Sequence, residues 1–195
     1  MAKLGLDLSY HQGDINWQKV KNAGVSFIIP RDGWGVDCDG QQTDPKFVQY
    51  VQGALNAGIE VPGVYHFLYV HSMDEAVKNA QNAIANVQKA GLPKSTVIWL
   101  DQEEDTVVDA VKHGYNLTTD LQRQAAEKFC DYCLSQGYPT GIYLNNDYIV
   151  RVYGKDILKK YDICQCNNLC LHSRRFHQLC RTSQTADTRS RSLAN

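Results

Sequence analysis

Residues 97–105 read Val-Ile-Trp-Leu-Asp-Gln-Glu-Glu-Asp, an apolar run that changes abruptly to acidic residues. The apolar half predicts a buried β-strand, and the acidic half places Asp101 and Glu103 at the carboxyl end of that strand. Because side chains alternate along a strand, residues two apart project to the same face. In folds of parallel strands and helices, functional groups gather at the carboxyl ends of the strands. This stretch therefore predicts both a fold class and the position of a site.

The same alternation of apolar and amphipathic segments recurs along the chain. Short β-rich runs lie at residues 4–8, 25–29, 61–69, 96–100, 140–144 and 161–163. Segments with helical spacing lie at residues 14–24, 44–58, 72–91 and 118–137, and each ends at a glycine suited to a left-handed cap. Strands that alternate with amphipathic helices predict an α/β fold with a parallel sheet, either a barrel or an open doubly wound sheet. No glycine-rich phosphate loop follows the first strand, which disfavours a nucleotide-binding version.

The composition is that of a globular protein. The chain has 195 residues, of which 43% are hydrophobic and 21% charged, and its formal net charge is −1. These values exclude wholesale disorder and give no global field that would attract nucleic acid or a membrane surface. No apolar run reaches the ~18–20 residues of a membrane span, and no signal region precedes the first strand. We expect a monomer that is made in the cytoplasm and has no nucleic-acid or membrane partner.

The composition changes after residue 163. Residues 1–163 carry 15 basic and 20 acidic residues, whereas residues 164–195 carry five arginines and the single acid Asp187. The second segment also holds four of the seven cysteines and lacks hydrophobic periodicity. We predict a domain at residues 1–163 and a foreign, poorly ordered tail at residues 164–195. Translation in a shifted reading frame, or degeneration of the gene, would produce such a tail.

The cysteines of the tail also suggest a zinc site, although their spacing lacks the paired C-x2-C knuckles of strong zinc motifs. A disulfide framework has no better support, because seven cysteines is an odd number. The residues of the zinc interpretation are Cys164, Cys166, Cys170, His172, His177 and Cys180.

A third acid joins the pair at residues 101 and 103. Asp7 interrupts the apolar first strand, in the stretch Gly-Leu-Asp-Leu-Ser at residues 5–9. Carboxylates that face one crevice repel one another, which raises at least one pKa and keeps that group protonated near neutrality. A carboxylic acid beside a carboxylate is what hydrolysis of a glycosidic bond requires. Two other interpretations stay open: Asp7 holds a loop through backbone N–H groups, and Glu104 with Asp105 caps the next helix.

At this point the sequence resembles a known family. Residues 5–17, Gly-Leu-Asp-Leu-Ser-Tyr-His-Gln-Gly-Asp-Ile-Asn-Trp, are similar to the opening of the family 25 glycoside hydrolases. These are the Chalaropsis-type lysozymes, or N-acetylmuramidases, common as phage endolysins and bacterial autolysins. Further similar segments follow in family order at residues 27–31, 33–35, 63–67, 99–103 and 141–143. The resemblance covers about residues 4–163 and implies a TIM-like (β/α)5β3 barrel that binds bacterial peptidoglycan in a groove at the strand ends.

The resemblance also implies roles for individual residues. Glu103 matches the general acid, which protonates the oxygen leaving between N-acetylmuramic acid and N-acetylglucosamine. Asp101 matches the acid beside it and Asp7 the carboxylate of the first strand. The nucleophile is either a carboxylate or the substrate's own N-acetyl oxygen. No metal or other cofactor is implied. The candidate substrate-binding residues are Tyr65, Tyr143, Trp34, Arg31 and His11.

Two further side chains near the expected groove have weaker claims to a binding role. Trp99 is a candidate wall residue, but core packing is the better interpretation for so large an apolar side chain. His66 is expected to be structural.

The sequence departs from the family pattern in two places. Pro30 and Asp32 surround Arg31 where the family has small apolar residues, which predicts an altered end of the second strand. After residue 163 the remaining strands of the family are not recognisable, so we predict a barrel that is incomplete after its sixth strand and has exposed edges. The expected result is hydrolysis of the cell wall, outside the cytoplasm after release, at a low or absent rate. The alternative is a catalytically inactive remnant of a prophage endolysin that only binds peptidoglycan.

Overall fold

The structure, a computed structural model, describes residues 3–37 and 40–165. These residues form a seven-stranded sheet with helices packed against it. The strands are β1 (Leu4–Leu8), β2 (Val25–Asp37), β3 (Gly40–Thr43), β4 (Gly63–Phe67), β5 (Val97–Asp101), β6 (Thr140–Leu144) and β7 (Asp162–Gln165).

Helices connect the parallel strands. The α-helices are α1 (Trp17–Asn22), α2 (Phe47–Asn56), α3 (Met73–Lys89), α4 (Glu104–Lys112), α5 (Thr119–Ser135), α6 (Asn146–Tyr148) and α7 (Gly154–Lys160). A 3-10 turn lies at Tyr10–Gln12, and a π-helix at Ile149–Tyr153 lies between α6 and α7. None of the described helices has both the length and the apolar character needed to cross a bilayer.

The strand order makes the sheet a half-barrel. Strands β1, β2, β4, β5, β6 and β7 are neighbours in that order and run parallel, while β3 pairs antiparallel with β2. Within residues 3–37 and 40–165, β1 and β7 end the sheet and do not pair with each other. The predicted α/β class is confirmed, and so is a barrel that, over the described residues, stays incomplete after its sixth parallel strand.

Several elements differ from the predicted ones, and the π-helix and helices α6 and α7 were not predicted. Strand β2 continues through Pro30 to Asp37 rather than ending near Arg31. Pro30 pairs with Leu8, the last residue of β1, so its missing N–H falls at the end of that ladder. The short strand β3 and helix α4 were not predicted. Helix α4 opens with acids and β-branched residues, which conceal its helical period.

The convex face of the sheet carries the main core. Alternate strand residues point under the helices, where they are buried against α2, α3 and α5. A polar network lies in the same layer: buried His66 contacts Asp32 at 3.1 Å and Asn79 at 2.9 Å. The Asn86 side chain donates to the same Asp32 oxygen at 3.0 Å. His66 is therefore a structural residue behind the sheet, and the network explains how a buried aspartate is accommodated in β2.

The concave face is packed at its lower end by aromatic rings over glycines. A Cβ on Gly5 would overlap the Phe27 ring, and one on Gly141 would overlap the Trp99 ring. A Cβ on Gly63 would lie 2.9 Å from Trp99 Nε1. The indole thus occupies space left by glycines on both neighbouring strands, and only 4% of Trp99 is exposed. This agrees with the packing role expected for Trp99.

The predicted tail falls almost wholly outside the described residues. Cys164 and Gln165 belong to β7, so this strand crosses the predicted boundary at residue 163. The poor order predicted for the tail, and the zinc-site interpretation of its cysteines and histidines, concern residues that the structure does not describe.

Candidate active site

The upper end of the concave face carries the predicted carboxylates. Asp101 is the last residue of β5 and pairs in register with Phe67 of β4 and Tyr143 of β6. It is only 8% exposed. Glu103 follows two residues later as the half-buried N-cap of α4, and its backbone N–H donates to the Thr106 hydroxyl at 3.3 Å. The change from strand to helix therefore fixes the backbone of both acids.

Burial and mutual repulsion act on this pair together. Burial raises the pKa of Asp101 well above its ordinary value, and the charges of Glu103 and Asp7 raise it further, while Arg31 lowers it. Burial also raises the pKa of Glu103, with Asp105 and Asp7 adding to the rise. Because Asp7 acts on both groups, the three carboxylates from β1, β5 and the start of α4 share one electrostatic environment.

Asp7 occupies the most open position of the three. Protein atoms crowd around its carboxyl group and raise its pKa, yet the residue keeps a large accessible surface, since none of the described strands pairs with the outer edge of β1. Access to water limits the size of the effect at Asp7 compared with buried Asp101. The three acids therefore form a gradient from a buried group to a solvated one.

Tyr65 lies among these charges. It pairs in register with Arg31 on β2 and Trp99 on β5. Burial raises the pKa of the Tyr65 hydroxyl, and the charges of Asp101 and Asp7 add to the rise while Arg31 opposes it. The hydroxyl therefore stays protonated and can donate a hydrogen bond toward the acids or a ligand.

Arg31 is held firmly at the edge of the same site. Its Nε donates to Asp44 Oδ2 at 2.9 Å, and its guanidinium carbon lies 4.7 Å from the Trp34 ring centre and 5.1 Å from that of Tyr10. The Tyr10 ring in turn stacks on His11 with a centroid distance of 4.0 Å. Arg31, Trp34 and His11 thus belong to one aromatic and cationic wall.

One donor in this wall lacks a partner. Arg31 Nη2 is buried and makes no hydrogen bond to the residues that the structure describes, and the same is true of Asp101 Oδ1. Buried polar atoms are normally satisfied, so unpaired ones at a cleft are available to a ligand or to water.

Comparison with known proteins identifies the family. Residues 6–164 match the family model described as Glycosyl hydrolases family 25. The chain belongs to this family.

Individual family 25 relatives share parts of the chain. Lysozyme M1 of Streptomyces globisporus is 41% identical over 63 residues, which is 32% of this chain and 20% of the relative. The bacterial lysozyme of Streptomyces coelicolor has the same fold with a TM-score of 0.66 and 24% identity, over 83% of this chain and 72% of that one. The modular autolysin of Streptococcus pneumoniae, solved with a synthetic peptidoglycan ligand, gives a TM-score of 0.66 at 21% identity over 89% of this chain and 40% of that one. The chain spans between 20% and 46% of the length of the curated lysozymes that it matches.

The remaining predicted residues lie on the concave face of the sheet or in the first turn of α4. Tyr143 is half-buried on the concave face, beside Asp101. Glu104 and Asp105 lie exposed in the first turn of α4, where acids favour the helix. Glu104 Oε2 accepts from Arg151 at 3.0 Å, which directs it away from the other acids. The capping interpretation therefore suits Glu104, while Asp105 also acts on Glu103.

Sequence reasoning missed two buried tyrosines that lie near the acids. Tyr148 and Tyr153 flank and end the π-helix, and each is 2% exposed. Their buried hydroxyls have no hydrogen-bond partner within the described residues. Burial raises the pKa of both, with Glu103 contributing at Tyr148 and Asp101 at Tyr153. Residues five apart share a face in a π-helix but not in an α-helix, so the α-helical period concealed this pair.

Proposed function

We propose that this chain hydrolyses the β-1,4 bond between N-acetylmuramic acid and N-acetylglucosamine in bacterial peptidoglycan, with Glu103 as the general acid. The observation that carries the proposal is the electrostatic position of Glu103. Burial and two neighbouring acids raise its pKa, so it keeps a proton at a pH where an ordinary glutamate has lost it. Family membership and the half-barrel fold support the same reaction.

The other carboxylates complement this proton donor. Cleavage of a glycosidic bond passes through a transition state with positive charge on the sugar ring. Ionised Asp7, the most solvated of the three acids, stabilises that charge at the open side of the groove. Asp101 is buried between β4 and β6, and its raised pKa favours the protonated form, which can donate a hydrogen bond to the substrate. Attack then comes from a carboxylate or from the N-acetyl oxygen of the substrate, and a water molecule completes the hydrolysis.

The wall around Arg31 supplies the binding surface for the glycan. Arg31 lies against the Trp34 ring and Tyr10 lies against His11, while the buried Arg31 Nη2 is a donor with no partner among the described residues. Tyr65 and Tyr143 offer hydroxyl groups on the concave face. Together these residues suit a neutral, hydroxyl-rich ligand that carries N-acetyl groups. The proposed partner is therefore cell-wall peptidoglycan, and the proposed place of action is the cell wall.

The decisive experiment compares two adjacent glutamates in a turbidity assay on purified peptidoglycan. We expect Glu103→Gln to lower the rate at least about 100-fold, because it removes the proton donor. Glu104→Gln is the matched control, since it makes the same change one residue away at an exposed ion pair and should leave the rate unchanged. Equal loss in both variants, or no loss in Glu103→Gln, would refute the assignment of Glu103.

The bond that is cleaved follows from the products. A muramidase leaves N-acetylmuramic acid at the new reducing end, so borohydride reduction of the digest should label that sugar. Label on N-acetylglucosamine instead would reject the proposed bond while keeping glycoside hydrolysis.

The open sheet favours a second candidate function. Within the described residues the concave face is bounded by β1 and β7 without strands between them, so the groove lacks one side. We therefore expect a low turnover for this chain, and a groove that binds without turnover is the alternative. Retention on insoluble peptidoglycan, with no fall in turbidity and no new reducing ends, would select the binding function.

A further inference from the structure

Three side chains of metal-binding type meet beside the groove. His71 lies in the segment after β4, and Asp109 and His113 lie one turn apart on α4. His71 Nε2 is 2.7 Å from Asp109 Oδ2, and His113 Nδ1 is 3.6 Å from Asp109 Oδ1. The two imidazole rings lie against each other with a centroid distance of 4.1 Å and an interplanar angle of 33°. None of these residues belongs to the proposed catalytic machinery.

We propose that His71, Asp109 and His113 form a binding site for a divalent transition-metal ion of the zinc class. Each residue offers one donor atom, and these atoms lie within 4.8 Å of one another. Ligand atoms around a tetrahedral zinc ion are roughly 3.4 Å apart, given metal–ligand distances of about 2.1 Å. Small side-chain rotations therefore bring the three donors to the required spacing. Two imidazoles with one carboxylate are a ligand set that such ions prefer.

The surroundings of the histidines support this assignment. Metal-bound histidines usually donate their second ring nitrogen to a carboxylate or a carbonyl oxygen. Here Glu75 Oε2 lies 3.7 Å from His71 Nδ1 and is fixed by the His71 backbone N–H at 2.7 Å. His113 Nδ1 lies 2.9 Å from the carbonyl oxygen of Asp109 and donates to it when protonated there. In that tautomer the lone pair is on His113 Nε2, so His113 would coordinate the ion through Nε2 after a rotation of its ring.

The exposure of the cluster leaves room for further ligands. The side chains of His71 and Asp109 are 29% and 27% exposed, and that of His113 is 54% exposed. Water can therefore occupy the fourth position of a tetrahedral ion. A bound ion would connect the segment after β4 to helix α4, whose N-cap is Glu103. The ion would thus restrict the motion of the segment after β4 relative to helix α4.

The test is a titration of the metal-stripped full chain with Co²⁺, followed by visible absorption. We expect d–d bands from nitrogen and oxygen ligands, and displacement of Co²⁺ by Zn²⁺. His113→Asn changes an exposed side chain and should weaken binding at least about tenfold, as should His71→Asn. Zn²⁺ should also raise the melting temperature of the unmodified chain and not that of His113→Asn.

The tail requires its own control because it contains cysteines and histidines. His172→Asn with His177→Asn changes the same residue type and should leave the d–d bands unchanged. Cysteine ligation would instead give a thiolate-to-cobalt charge-transfer band in the near ultraviolet, which should disappear when Cys166 and Cys170 are replaced by serine. The proposal is overturned if Co²⁺ does not bind, or if binding survives His71→Asn and His113→Asn together and is lost only in the tail variants.

Discussion

Glu103 and Asp105 flank the start of helix α4 and differ in what they contact. Glu103 is half-buried at the groove, while Asp105 is exposed and acts on Glu103 only through its charge. A negative neighbour makes ionisation of Glu103 harder, so it extends the pH range in which this proposed general acid keeps its proton. The proposed proton donor and the residue that raises its pKa are thus two different side chains.

Replacing Asp105 should therefore change the pH profile. In Asp105→Asn the pKa of Glu103 falls, because a negative charge beside it is removed. A general acid loses its function as pH rises through its pKa, so the alkaline limb of kcat/KM should move to lower pH. Glu104→Gln is the control, and its limb should stay in place. An unchanged limb in Asp105→Asn would contradict the coupling.

Asp101 should reduce stability as the pH rises. Its pKa in the folded protein is raised above the ordinary 3.8, so the folded state prefers the protonated acid. The free energy of unfolding therefore falls as pH rises from 3.8 through the raised pKa, at about 1.4 kcal/mol per pKa unit of the rise. The measurement is thermal unfolding of Asp101→Asn, which should melt above the unmodified chain at pH ~7 and with it at pH ~3.

A matched control for Asp101→Asn is Asp156→Asn. The Asp156 side chain is 97% exposed, so its replacement should leave the melting temperature unchanged at both pH values. A lower melting temperature for Asp101→Asn at neutral pH would mean that attraction to Arg31 outweighs burial.

At the scale of elements, the lower half of the concave face depends on small residues on neighbouring strands. A Cβ on Gly141 would overlap the Trp99 ring and lie 2.6 Å from the carbonyl oxygen of Asp162. Gly141→Ala should therefore lower the free energy of unfolding by about 1–3 kcal/mol, as overpacked cores do. Urea denaturation measures the loss, and exposed Ser95→Ala should change stability by less than about 0.5 kcal/mol. Equal stability of both variants would show that the indole moves freely.

Tyr153, the last residue of the π-helix, and Tyr161 differ in whether the hydroxyl group has a hydrogen-bond partner. Tyr153 has a buried hydroxyl without a partner in the described structure, whereas the Tyr161 hydroxyl donates to Asp131 at 2.7 Å. Tyr153→Phe should therefore leave stability unchanged or raise it by about 1 kcal/mol, and Tyr161→Phe should lower it by about 1.5–3 kcal/mol. Urea denaturation of both variants decides the matter. A large loss for Tyr153→Phe would reveal a bridging water or a partner outside the described residues.

Elements with strong periodicity could be predicted from the sequence, and others could not. The strand at residues 140–144 coincides with β6, because its apolar run is bounded by clear turn signals. The third predicted helix begins after Ser72, as expected. The first helix begins after Asn16, whose side chain accepts from Lys19, and not at Asp14.

The candidate site was predictable only in part. Asp101, Glu103 and Asp7 stand out because acids interrupt or end apolar strands. Tyr148 and Tyr153 do not, since their approach to the acids depends on a π-helical turn that local sequence does not signal. Asp44 was also missed, because its partner Arg31 comes from a different element.

At the scale of the whole molecule, the two faces of the sheet carry different kinds of residue. The convex face carries the helices and the main core, while the concave face carries aromatic packing below and charged groups above. Because β1, β2, β4, β5, β6 and β7 run parallel, their carboxyl ends lie at the same edge of the sheet. Substitutions at exposed positions of the upper concave face should thus affect catalysis more than folding.

The contact between the Arg31 guanidinium and the Trp34 ring also allows ligand binding to be followed by intrinsic tryptophan fluorescence. Indole emission is sensitive to a nearby guanidinium, and Trp34 is half-buried at the groove, while Trp99 is sealed beneath the strand ends. A glycan fragment that displaces Arg31 from Trp34 would alter the quantum yield of that indole and leave Trp17 and Trp99 as internal references. Saccharide occupancy can thus be followed without a dye, even in a variant that has lost turnover.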